Sequence, residues 1–276
     1  MNRIDLLFAE WRRQGQRALI PFLTAGDPSL EATASFLVAL REAGTSLIEI
    51  GFPYSDPIAD GPVIQSSYTR ALSRRVRIED VLRQAPSWLR TPSSDRQVDA
   101  PDAALVAMVS YSIIYRRGPE RFLNQLLQAG FAGLIVPDLP YEESGPLVQL
   151  ARSLDLALIQ LITPQTPDDR ALRIAERSSG FIYYVSVTGI TGARQYIPDG
   201  LVERVGWLRE RVSLPVCVGF GISHVDQVRA LRQVVDGIIV GSAIVSRIEQ
   251  VERLPQRQVL EDIRDFVTRL RQALNA

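Results

Sequence analysis

PVCVGFGISHVDQVRALRQVVDGIIVGSA, residues 215–243, holds two short apolar runs, PVCVGFG (215–221) and DGIIVGSA (236–243), with a segment of helical period between them. Each run is nearly continuous in apolar character, the pattern of a strand buried on both faces of a parallel sheet. The same unit recurs towards the amino terminus: ALIPFLTAG (18–26), SLIEIG (46–51), AALVAMV (103–109), GLIVPDLP (133–140), LALIQLIT (156–163) and FIYYVSV (181–187). Helical segments between them close on glycine, as in ALREAG (39–44) and LLQAG (126–130). Asp27-Pro28 predicts a helix start, with Asp27 as N-cap and Pro28 in the first turn. Eight such units in 276 residues favour an α/β fold of the closed (β/α)8 barrel type over an open doubly wound sheet. The polar stretch TPSSDRQVDAPD (91–102) is expected to be a surface insertion within one domain spanning 1–276.

The composition narrows the chemistry. Lys+Arg and Asp+Glu both count 31, which gives no basic face for nucleic acid or an anionic membrane. No run of about 18 apolar residues is present to span a bilayer, and the charged start MNRIDLLFAEWRRQGQR is no secretory signal. A soluble, cytoplasmic protein is expected. The single cysteine, Cys217, excludes an internal disulfide framework. Every basic residue is arginine, so no lysine can form a Schiff base or anchor pyridoxal phosphate. One histidine, His224, excludes a histidine-rich metal site. It reads as an exposed helix start.

In a barrel, chemistry collects at the carboxyl ends of the strands. Gly219 and Gly221 follow strand 7, with Phe220 between them, and Gly241 and Ser242 follow strand 8 at a helix start. Tight turns alone would account for each glycine. Together, exposed amides beside a helix N-terminus make a phosphate site that needs no lysine.

Asp60 and Asp56 read locally as turn or capping residues, and Asp138 as a possible cap of the next helix. Tyr183 reads as a core tyrosine, and Cys217 as a buried thiol. Glu49 is different. Ile48 and Ile50 flank it, so one face of the strand carries a carboxylate into the barrel. No arginine lies nearby in sequence. An unpaired buried glutamate has a raised pKa, suited to moving protons near neutral pH.

LIPFLTAGDP (19–28), IEIGFPYSDPIADGPVIQ (48–65), VPDLPYEES (136–144), FIYYVSVTGITG (181–192), VCVGFGIS (216–223) and GIIVGSAIV (237–245) resemble the α chains of tryptophan synthase over nearly the whole length. The resemblance implies a barrel with an extra N-terminal helix that cleaves indole-3-glycerol phosphate to indole and glyceraldehyde 3-phosphate. It implies Glu49 as acid and base, Asp60 facing the indole N–H, and Tyr183 as an active-site tyrosine. Gly192, Gly221, Gly241 and Ser242 match the family's phosphate site, with Gly219 and Phe220 beside it. Phe22 and Ile135 match the indole pocket. Residues 186–197 resemble a mobile lid, from which Thr191 reaches towards Asp60. The loop bearing Pro53, Asp56 and Pro57 would face a partner, the β subunit, in an α2β2 heterotetramer. No metal and no cofactor are implied in this chain; pyridoxal phosphate belongs to the β partner.

One stretch departs from the family pattern. Met108-Val109-Ser110-Tyr111-Ser112-Ile113 stands where the family often reads Met-Thr-Tyr-Tyr-Asn-Pro, so Ser110 replaces a pocket tyrosine and Ser112 an asparagine near the partner. The change bears on pocket shape and partner contact, not on the acid–base pair. Three alternatives stand beside the α-subunit expectation. They are a stand-alone lyase releasing indole for secondary metabolism, a catalytically weak allosteric paralogue, and a different phosphate-binding barrel isomerase.

Overall fold

Eight parallel strands close into one barrel in chain order, with the first pairing the last. They are β1 (Ala18–Thr24), β2 (Leu47–Gly51), β3 (Ala104–Met108), β4 (Phe131–Ile135), β5 (Ala157–Ile162), β6 (Ile182–Val185), β7 (Val216–Gly219) and β8 (Gly237–Val240). The computed structural model describes residues 2–58, 60–89, 103–186, 199–219 and 221–276. The expected insertion at 91–102 lies outside these residues. All eight apolar runs contain a strand. β4 starts two residues before the expected run, because Gly130 at φ +84° ends the preceding helix and Phe131 joins the sheet at once.

Alternation along the strands divides the apolar residues into two sets. Ile48, Ile50 and Phe52 of the second unit point outward into the shell between strands and helices, with Leu23, Leu105 and Val218. Leu47 points inward, with Ile20, Phe22, Val106, Ile159 and Ile239. Each fully buried side chain of this kind contributes about 1.5–3 kcal/mol. The inward position after Leu47 is Glu49.

The N-terminal helix Arg3–Arg13 covers the amino-terminal mouth of the barrel. Asn2 caps it by accepting from the Ile4 N–H at 2.9 Å, and its Nδ2 donates to the Ala132 carbonyl at 2.8 Å. Ile4 then plugs the interior at Gly133 and Gly180. A Cβ on Gly133 would stand 3.1 Å from Ile4 Cδ1 and 2.7 Å from the Ala157 carbonyl, so glycine makes the plug possible.

Asp27 does not cap the helix Leu30–Glu42. Ser29 does, its hydroxyl accepting from the Ala32 N–H at 3.1 Å. Asp27 is buried instead against Arg70, which donates to it through two nitrogens at 3.0 and 2.7 Å. Charge pairing outweighs capping here because the carboxylate lies out of water. His224 is the exposed N-cap residue of the helix Val225–Leu231, as expected.

Candidate active site

Glu49 lies on β2 in register with Phe22 of β1 and Val106 of β3. Its exposure is 0%, and neither carboxylate oxygen has a hydrogen-bond partner among the described residues. Burial alone drives its pKa well above the ordinary carboxylate value. The side chain therefore holds its proton to higher pH than an ordinary glutamate does.

A cleft at the carboxyl end of the barrel joins Glu49 to Asp60, Phe22, Tyr183 and the glycine turns after β7 and β8. Asp60 precedes the helix Pro62–Ser73, which starts on Pro62. The loop carrying Asp60 is held from the helix side. Gln65 Nε2 donates to the Asp60 carbonyl at 2.8 Å and to the Pro57 carbonyl at 3.2 Å. Pro53 is buried, while Asp56 and Ile58 face outward. Burial pushes the Asp60 pKa up to about 6. A hydrogen bond from Tyr54 opposes the shift, and the charge of Asp138 adds to it. The Tyr54 hydroxyl lies 3.4 Å from Asp60 Oδ2. Asp60 is thus ionised at neutral pH, while the stronger burial of Glu49 favours its protonated form, two carboxyls set apart by their surroundings.

Tyr183 stands in register with Cys217 and Leu161 on the neighbouring strands. Its hydroxyl occupies the space over Gly219, where a Cβ would lie 2.4 Å away. Burial raises its pKa well above the ordinary phenol value, and the charges of Glu49 and Asp60 add to that. It remains a neutral phenol.

Gly221, Gly241 and Ser242 line the far side of the cleft. Gly221 has φ +74°, a conformation that side chains rarely adopt. The Gln227 side chain ties this turn down, accepting from the Ser223 and His224 N–H groups at 2.8 and 3.0 Å. Gly241 is the N-cap of the helix Ser242–Ile248, whose first N–H groups have no acceptor within the helix. Ile135 is buried inside the barrel beside Met108, which lines the cleft. Gly192, Thr191, Phe220 and the expected lid after Ser186 lie outside the described residues.

Asp138 caps no following helix. It accepts from the Ser110 hydroxyl at 2.7 Å and the Tyr111 N–H at 2.8 Å, fixing the start of the helix Tyr111–Arg117 that follows β3. Ser110 is buried in that contact. Sequence reasoning missed Tyr54, Ile64 and Ile239. Ile239 was findable as the inward position of β8. Tyr54 carried no local sign that it would reach Asp60.

The family model described as tryptophan synthase alpha chain matches residues 8–275. The chain belongs to the tryptophan synthase α-chain family. A tryptophan synthase alpha chain of Rhodopirellula baltica is 48% identical to it over 283 residues, with 100% of both chains covered. The crystal structure of tryptophan synthase alpha chain from Legionella pneumophila superposes with TM-score 0.85 at 29% identity, covering 99% of this chain and 97% of that one. A tryptophan synthase structure from Mycobacterium tuberculosis does so with TM-score 0.85 at 30% identity, covering 100% and 99%. Members of this family are lyases that form part of a larger enzyme complex. Among the described residues no helix is long and apolar enough to cross a membrane.

Proposed function

We propose that this chain, a lyase that cleaves indole-3-glycerol phosphate to indole and glyceraldehyde 3-phosphate, does so with Glu49 as acid and base and Asp60 as charge partner. The observation that carries the assignment is the dry, unpartnered carboxyl of Glu49, opening on the same cleft as a carboxyl held near pKa 6.

Glu49 gives its proton to carbon 3 of the indole ring. The ring becomes cationic, with the charge shared by its N–H, and ionised Asp60 faces that group. The Glu49 carboxylate then takes the proton from the hydroxyl on the adjoining side-chain carbon. The oxygen becomes the aldehyde carbonyl as the carbon–carbon bond breaks, and the bonding pair returns to the ring. Glu49 ends protonated, ready for the next turnover. Tyr183 and Phe22 hold the ring, with Ile135 behind them. The amides at Gly221, Gly241 and Ser242 receive the phosphate, and Gly192, Gly219 and Phe220 complete that end.

The partner we assign is a tryptophan synthase β subunit, in an α2β2 assembly in the cytoplasm. Ile58 is 79% exposed and Tyr115 71%, and they follow β2 and β3 on the catalytic end of the barrel. Exposed apolar side chains of this size suit burial against another chain. Asp56 and Pro57 belong to the loop that bears Ile58, whereas Pro53, expected on that surface, is buried beneath it. Pyridoxal phosphate belongs to the β subunit, since this chain has no lysine to hold it. The closed barrel supports reading residues 1–276 as one domain with a surface insertion near 91–102.

The test is indole release from indole-3-glycerol phosphate by the purified chain, alone and with a β subunit. Slow cleavage that rises at least tenfold with the partner supports the assignment. Fast cleavage indifferent to the partner means a stand-alone lyase, and no cleavage in either setting overturns the assignment.

A further inference from the structure

Tyr68 comes from the helix Pro62–Ser73 and is 1% exposed, yet its hydroxyl has no hydrogen-bond partner among the described residues. Buried hydroxyls are nearly always satisfied, so an orphan calls for an explanation. The ring is fixed by packing on Tyr54, with centroids 5.5 Å apart. The hydroxyl lies over Gly51, where a Cβ would be 2.7 Å from it and 2.5 Å from Phe22 Cζ. Gly51 is two residues beyond Glu49 on the same inward face of β2, about 6.6 Å along the strand. One donor without an acceptor and one carboxyl without a donor therefore share the same dry region.

We infer that Tyr68 is a positioning residue for Glu49, its hydroxyl being the donor that receives the glutamate carboxylate once the proton has left for the substrate. The inference rests on the proposed role of Glu49. The other titratable groups around the glutamate are Tyr183 and Cys217 from β6 and β7, with Asp60 at the cleft mouth. Asp60 is charged and cannot donate; the Tyr183 hydroxyl lies over Gly219 and is the second phenol that faces the glutamate. Burial, then the charges of Asp60, Tyr54 and Glu49, raise the Tyr68 pKa well above the ordinary phenol value, so Tyr68 keeps its proton and has it to donate. The helix also begins at the loop bearing Asp60, whose main-chain carbonyl accepts from Gln65, so one rigid element carries Tyr68 and holds the Asp60 loop.

The test is Tyr68→Phe, read in two ways across pH 5 to 10. In kcat for indole release, the alkaline limb reports loss of the Glu49 proton. Removing a donor to the ionised form raises that pKa, so the limb moves up by about one pH unit and kcat falls about tenfold. KM stays within about twofold, and Tm stays level or rises because an unsatisfied hydroxyl is gone. Infrared titration of the buried carboxyl, assigned with Glu49→Gln, reads the same shift without turnover. An unmoved carboxyl titration with unchanged kcat overturns the inference. If wild type does not cleave the substrate, the functional assignment falls, and the infrared titration alone decides the role of Tyr68.

Discussion

Phe22 stands directly opposite Glu49 across the β1–β2 pair, and both side chains line the same cleft. Burial, with no charge partner among the described residues, favours the protonated glutamate. A proton held this way is available to a weakly basic carbon such as indole C3, which an ordinary exposed glutamate at neutral pH would not serve.

Glu49 binds its proton more tightly in the folded chain than in the unfolded one. Folding stability is therefore highest below the ordinary value of 4.5 and falls as pH rises towards the raised folded pKa. Glu49→Gln removes this loss. Thermal melts from pH 4.5 to 8 should show the variant losing less stability than wild type across that range, even as its cleavage rate collapses.

Asp60 sets the acid side of activity. Cleavage should decline as pH falls through about 6, where the carboxylate that faces the indole N–H is protonated. Tyr54→Phe removes a donor to the ionised form, so the acid limb should move up by about half a unit, the modest size fitting a 3.4 Å contact. The shift from 3.8 to about 6 also destabilises the fold by roughly 3 kcal/mol once pH exceeds 6. Asp60→Asn should therefore raise Tm at pH 7.5 while lowering kcat.

Gly219→Ala should disable the cleft without touching a carboxyl. The new Cβ would lie 2.4 Å from the Tyr183 hydroxyl and 2.7 Å from its ring, and the buried ring cannot yield. Overpacking of this kind costs about 1–3 kcal/mol. Calorimetry should show a lowered Tm and kinetics a loss of kcat, whereas unchanged values in both would place Tyr183 away from Gly219.

Arg70 pairs with buried Asp27 and also with Glu249 at 3.0 Å, tying the loop after β1 to the helix Pro62–Ser73 and the region after β8. Arg70→Ala leaves the buried carboxylate alone, a loss of about 3–5 kcal/mol. Asp27→Asn combined with Arg70→Ala should recover part of it, as chemical denaturation would measure.

The barrel was legible because each strand is a short apolar run with a glycine-closed helix before the next, and local pattern suffices for that. The inward position of Glu49 followed from Ile48 and Ile50 by the two-residue period alone. Asp27, Asp138 and Tyr54 were not legible, because each is defined by a partner distant in sequence or folded back across a loop. Asp27 reads as a cap until Arg70, 43 residues away, takes its carboxylate. Asp138 meets Ser110 across 28 residues. Tyr68 reads as one more aromatic on a helix, and only the packed structure reveals that its hydroxyl has no partner among the described residues.

The central claim is that one dry glutamate supplies and recovers the proton of cleavage. The most direct measurement is kcat for indole release from indole-3-glycerol phosphate by wild type and Glu49→Gln, over pH 5 to 9. The account predicts a bell for wild type, with its acid limb near 6, and a variant lowered by about 10²–10⁴-fold at every pH. A variant within tenfold of wild type would contradict it.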